Sequence, residues 1–93
     1  MNGIERIAAE RKRQIEQKGY TPEHDREHKH FELTAAAIAY ALHAAGEQHA
    51  NENWWPFPPE AWRPSDDPIR DLEKAGALIA AEIDRLLAEQ AEE

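Results

Sequence analysis

Five of the six prolines fall between residues 56 and 68, four of them in the stretch NENWWPFPPEAWRP, from Asn51 to Pro64, which also holds all three tryptophans. Proline lacks the amide donor that a helix interior requires, and its ring clashes with the preceding turn. No helix can run through this segment. On either side the chain is rich in alanine, and its apolar residues recur every three or four positions, as on a helix face. Nothing alternates as a half-buried strand does. The 93 residues therefore read as one all-α domain, a small bundle of three helices with an aromatic, proline-rich crossover between the second and third.

The first helix is predicted over about 4–18. Ile4, Ile7, Ala8 and Ile15 give it a thin apolar stripe, and Gly19 suits its C-terminal cap. Its RKR run at 11–13 reads as solvated surface with i,i+4 pairs. The second is predicted over about 22–45, opened by Thr21 and Pro22 and closed by Gly46. His24, His28, Phe31, Ala35, Ile38, Leu42 and Ala45 form one seam, and Leu33, Ala36, Ala37, Tyr40 and Ala44 a second stripe. A helix apolar on two sides is expected at the centre of the fold, and also to favour homo-oligomers. The crossover spans 46–67. Asp67 and Pro68 then start a third helix, about 68–89, antiparallel to the second. Its seam is Ile69, Leu72, Gly76, Ile79, Ile83 and Leu86, with Gly76 marking the close approach of another backbone.

Charge narrows the partners. The net charge is −8, but residues 1–30 hold seven Lys/Arg against six Asp/Glu, and residues 31–93 hold four against thirteen. Duplex nucleic acid requires a basic face that only the first third could offer, so it is not an expected partner. No apolar run is long enough for a bilayer, and the charged start, MNGIERIAAERKR, is unlike a signal peptide; the expected location is the cytoplasm. The absence of cysteine removes disulfides and zinc–thiolate sites.

Two groups of residues can carry function. Trp54, Trp55 and Trp62, with Phe57, offer flat faces on which a nucleobase stacks, and Arg63 can meet a phosphate. His24 and His28, with Arg6 or Arg13 of the first helix, can add positive charge. The same aromatics can instead act as a proline-stiffened flap that completes a shallow core, and one face of the flap can do each. The second group is His24, Asp25, His28 and Glu32, whose helical spacing can hold a divalent metal with Asp71 or Glu82. Against catalysis, the chain has no HExxH pattern, phosphate loop or nucleophile elbow, and it lacks the paired ExxE and ExxD carboxylates of helical pyrophosphohydrolases.

The segments ERIAAERKRQIEQKGYTPEHDREH, WWPFPPEAWRP and DLEKAGALIAAEIDRL together resemble a family of small helical proteins encoded by bacteriophages and prophages. The resemblance covers nearly the whole chain. It implies an accessory protein acting inside an infected bacterium, a class that often blocks host defences by binding and sometimes sequesters nucleotide signals in homo-oligomers. The expectation is a non-catalytic binder of a nucleotide-like ligand, without a cofactor, using Trp54, Trp55, Trp62, Arg63, His24 and His28. The alternatives are a metal-dependent nucleotide phosphohydrolase and an acidic inhibitor that docks on a basic host protein.

Overall fold

A computed structural model describes residues 1–18 and 31–92. Among these residues all regular structure is helical, with no strand. Helix α1 spans Gly3–Lys18, α2 Glu32–Ala44, α3 Ala50–Trp54 and α4 Pro68–Glu92, with a 3-10 turn at Pro59–Ala61. The three long helices of the sequence reading correspond to α1, α2 and α4. The crossover between them is not free of helix, because α3 completes one turn before Pro56 forces Trp55 into extended backbone.

The helix ends follow from side chains at fixed offsets. Asn2 and Glu5 form a reciprocal capping box, each side chain accepting from the other's amide, at 2.9 and 3.0 Å. Asp67 Oδ1 accepts the Ile69 amide at 3.0 Å and caps α4, with Pro68 as its first residue. At the end of α2, Gly46 takes φ 98°, the Gly46 amide donates to His43 O and the Glu47 amide to Leu42 O, each at 3.0 Å. This double closure needs a left-handed residue, which glycine supplies without strain. The proposed caps at Thr21 and Gly19 lie outside the described residues. A continuous helix from 22 to 45 does not form, because Phe31 adopts φ 63° immediately before α2. Its ring lies 5.6 Å from the Arg85 guanidinium, a cation–π contact that holds the turn against α4.

The central helix is α4, not α2. It packs against both α1 and α2, which among the described residues do not pack on each other. The core is built from Leu33, Ala36, Ala37 and Tyr40 of α2 and Ala75, Leu78 and Ala81 of α4. Small side chains bring these helices close, and Trp55, Phe57 and Trp62 of the crossover pack against the layer they form. The expected seam of α4 does not enter this core. Ile69, Leu72, Ile79 and Ile83 are each about half exposed, because Ala75, Leu78 and Ala81, on another side of the helix, take the inner face.

The buried side of α1 is polar rather than apolar. Ile4 is 82% exposed, whereas Glu10, Arg11 and Gln14 are buried. Ion pairs seat the helix: Arg6 with Glu73 at 3.0 Å, Arg70 with Glu10 at 2.7 Å, and Arg11 with Asp84 at 3.2 Å. One apolar contact fixes the crossing point. Ile7 lies against Gly76, where an added Cβ would stand 2.6 Å from Ile7 Cδ1 and 2.8 Å from Cγ1. The close neighbour of Gly76 is thus a side chain and not a second backbone. Gly76→Ala is expected to lower stability by about 1–2 kcal/mol in urea unfolding, even though alanine favours helix by about 1 kcal/mol. In an Ile7→Ala background the same change should be neutral or stabilising. A Gly76→Ala protein more stable than the parent would contradict this contact.

Candidate functional site

A cleft of about 260 Å³ opens where α1, α2, α4 and the crossover meet. Its apolar floor is Leu33, Tyr40 and Leu78, and Trp55, Phe57 and Pro58 form one wall. Around its polar side stand Arg13 and Lys18 from α1, Arg63 from the crossover and Lys74 from α4, with Glu10 and Gln14 beneath them. Four cationic side chains thus line one small cavity in a chain whose net charge is −8.

The aromatic wall is held by directed contacts. Trp62 stacks on Tyr40 with ring centres 4.7 Å apart and an interplanar angle of 30°. Trp55 meets Tyr40 edge-on at 5.5 Å and Phe57 edge-on at 5.4 Å, both favoured by the ring quadrupoles. The Trp55 indole N–H donates to Pro58 O at 3.1 Å, and the Arg63 amide donates to the Tyr40 hydroxyl at 3.2 Å. Behind the wall, His43 Nδ1 lies 2.6 Å from the buried Asp71 Oδ2, while Asp71 Oδ1 accepts the Ser65 amide at 2.8 Å. This carboxylate ties α2, α4 and the end of the crossover together.

The polar side is less completely matched. Arg13 places two N–H groups on the Glu10 carboxylate, each at 2.8 Å, and Arg70 approaches the same carboxylate from α4. Burial by itself would raise the Glu10 carboxyl, but hydrogen bonds from Arg13 and Arg70 outweigh it and hold it at about 2. Lys74 donates to Arg63 O at 2.6 Å, and its ammonium lies 5.4 Å from the centre of the Tyr40 ring. Burial, then the charge of Arg70, push its pKa below the ordinary lysine range. Gln14 donates weakly from Nε2 to Glu10 at 3.4 Å, an orientation the carboxylate dictates, since it can only accept. Gln14 Oε1 is then left buried without a hydrogen-bond partner among the described residues. An orphaned acceptor in a residue only 4% exposed costs about 1–3 kcal/mol until a donor reaches it.

Of the residues singled out in the sequence, the structure brings Trp55, Arg63 and Arg13 to the cleft. Trp54 sits on α3, 45% exposed, and is not part of the lining. Trp62 belongs to the aromatic packing and does not line the cavity. Arg6 is engaged by Glu73. His24, Asp25 and His28 lie outside the described residues. Of the remaining metal candidates, Glu32 opens α2, Asp71 is held by His43 and Ser65, and Glu82 accepts from Thr34 at 2.7 Å and pairs with Arg85. Among the described residues no three His, Asp or Glu side chains converge as a metal site.

Sequence reasoning missed Gln14, Lys18, Lys74 and Glu10. Lys74 left a signal, being the only lysine in the acidic part after residue 30. Gln14 left none, because one glutamine on a charged helix resembles any other. No helix among the described residues is long and apolar enough to cross a membrane. No family model matches this chain, and no curated protein or solved structure is similar enough to count as a relative.

Proposed function

We propose that the protein is a non-catalytic binder of a small planar anion of the nucleotide class, held in the crossover cleft. The observation that carries this reading is the convergence of Arg13, Lys18, Arg63 and Lys74 on a cleft with an aromatic wall, with the orphaned Gln14 acceptor on its polar side. Each part has a matching feature in a nucleotide. A base can lie against Trp55 and Phe57, a phosphate can meet Arg63 and Lys74, and an exocyclic amine or ribose hydroxyl can donate to Gln14. The volume of about 260 Å³ lies just under the usual range of ligand sites, roughly 300–1,000 Å³, and favours a ligand of mononucleotide size. Binding without turnover is preferred because Asp71 and Glu82 already hold the fold together. The resemblance to phage-encoded accessory proteins gives such a binder a role, the removal of a nucleotide signal in the cytoplasm of an infected host. We take it to act as a homo-oligomer.

Titration calorimetry of the protein against linear and cyclic mononucleotides, with inorganic pyrophosphate as the base-free control, tests the reading. Saturable binding is expected, weakened about 10–100-fold by Arg63→Ala or Lys74→Ala, the scale of a lost charge-assisted hydrogen bond. Trp54→Ala should bind as the parent does. The absence of heat with every nucleotide, or affinity unchanged in Arg63→Ala and Lys74→Ala, rejects the reading. Pyrophosphate binding as tightly as the nucleotides would reject the stacking half of it.

A further inference from the structure

On a helical projection of α4, at 100° per residue, one side carries Ile69, Leu72, Gly76, Ile79, Ile83, Leu86 and Leu87, and apart from Gly76, which Ile7 of α1 covers, these residues are turned away from α1 and α2. Every residue of that side from 69 to 87 is Ile, Leu or Gly, with no charge. Ile69 is 53%, Leu72 52%, Ile79 50%, Ile83 52% and Leu87 56% exposed. The steps of three and four residues are those of a coiled-coil seam. The stripe is about 27 Å long at 1.5 Å per residue. Contiguous apolar surface of this extent is rare on monomers and marks an interaction surface.

We infer that the occupant of this surface is a second copy of the chain, seated α4 against α4 about a two-fold axis. Charge selects that occupant. A protein with net charge −8 ordinarily repels itself. Along α4, however, the acids that border the stripe are matched within their own chain: Glu73 by Arg6 and Arg70, Glu82 and Glu89 by Arg85, and Asp84 by Arg11. The face is therefore neutral at its rim and apolar along its centre. Among the described residues, none of these four acids is left free to recruit a basic partner or to hold another copy away. Two such stripes together bury roughly 1,000 Å², where specific protein interfaces begin. The apolar seam of α4 thus has a use even though the intramolecular core leaves it out. This inference does not depend on the ligand reading: a chain that self-associates here and binds no nucleotide upholds one and rejects the other.

Sedimentation equilibrium on the full chain tests it. The parent should populate a dimer, or an even-numbered assembly built from it, at micromolar concentration. Ile79→Glu/Ile83→Glu should weaken association at least 100-fold while circular dichroism retains the helical spectrum, and Trp54→Ser, which changes an exposed aromatic off the stripe, should associate as the parent does. Because the chain contains no cysteine, Ile79→Cys alone places one thiol near the axis, and mild oxidation should give a disulfide-linked dimer. A parent that stays monomeric at several hundred micromolar overturns the inference. So does undiminished association in the glutamate variant, or an Ile79→Cys protein that crosslinks no faster than Trp54→Cys.

Discussion

Replacing Glu10 by glutamine is expected to lower stability by about 3 kcal/mol, the scale of a buried ion pair broken from one side. Glu10 is 3% exposed and receives two N–H groups of Arg13 and one of Arg70. The neutral amide keeps the shape but leaves two guanidinium groups facing each other across the α1–α4 contact, of which Arg70 retains Glu73 as a partner. The effect carries a pH signature. With the folded carboxyl at about 2 and its ordinary value at 4.5, the native protein binds fewer protons than the unfolded chain between those limits. The contribution of Glu10 is then fully present above pH 4.5 and is lost as the pH falls toward 2. Urea midpoints of the parent and Glu10→Gln should differ most at neutral pH and converge in acid. The Glu73 carboxyl, lowered chiefly by its hydrogen bond from Arg6, titrates in both proteins, so it does not obscure the difference. A gap between the two proteins that is constant from pH 7 to pH 2.5 would show that the Glu10 charge does not hold α1 in place.

Trp62→Ala is expected to cost about 3 kcal/mol or more, the range for deleting a large aromatic from packed surroundings. Its indole stacks on Tyr40 at 4.7 Å, stands edge-on to His43 at 5.9 Å and lies 5.0 Å from Trp55. Its loss empties the space that holds the crossover against α2, and with it the backbone that presents Arg63 to the Tyr40 hydroxyl. Trp62→Phe keeps a ring on Tyr40 and should recover more than half of the loss. Trp54→Ala, on the exposed face of α3, should change stability by less than about 0.5 kcal/mol. Equal thermal unfolding of the Trp62→Ala and Trp54→Ala proteins would refute this division between a packing tryptophan and an exposed one.

The helices were legible in the sequence wherever a local rule decides them. Asp67–Pro68 starts α4 and Gly46 ends α2 because capping depends on side chains within a few positions. The choice of which apolar stripe faces inward was not legible. On α4 the Ile/Leu seam and the Ala75, Leu78, Ala81 face have the same period, and the pattern favours the larger side chains. The fold uses the smaller ones, because close contact with the alanines of α2 rewards low volume. The polar seat of α1 was hidden for a related reason, since Glu10 and Arg70, partners across the α1–α4 contact, stand far apart in the sequence. In the cleft, Trp55 and Arg63 were recognisable by residue type, whereas Lys74 and Gln14 acquire meaning only from what stands opposite them.

The manner in which α1 is attached has a consequence for the whole molecule. Helix α2, α4 and the crossover share apolar packing, while α1 rests on α4 chiefly through exchanged charges. Dissolved salt therefore weakens the more exposed of these pairs, Arg6–Glu73 and Arg11–Asp84, before it touches the apolar packing, while the buried Glu10–Arg70 pair is screened less. The cleft straddles that boundary, with Arg13 and Gln14 on one bank and Trp55 and Arg63 on the opposite one. A ligand held there, as proposed, would clasp the N-terminal rod to the cohesive part, and its occupancy would then rise and fall with N-terminal order.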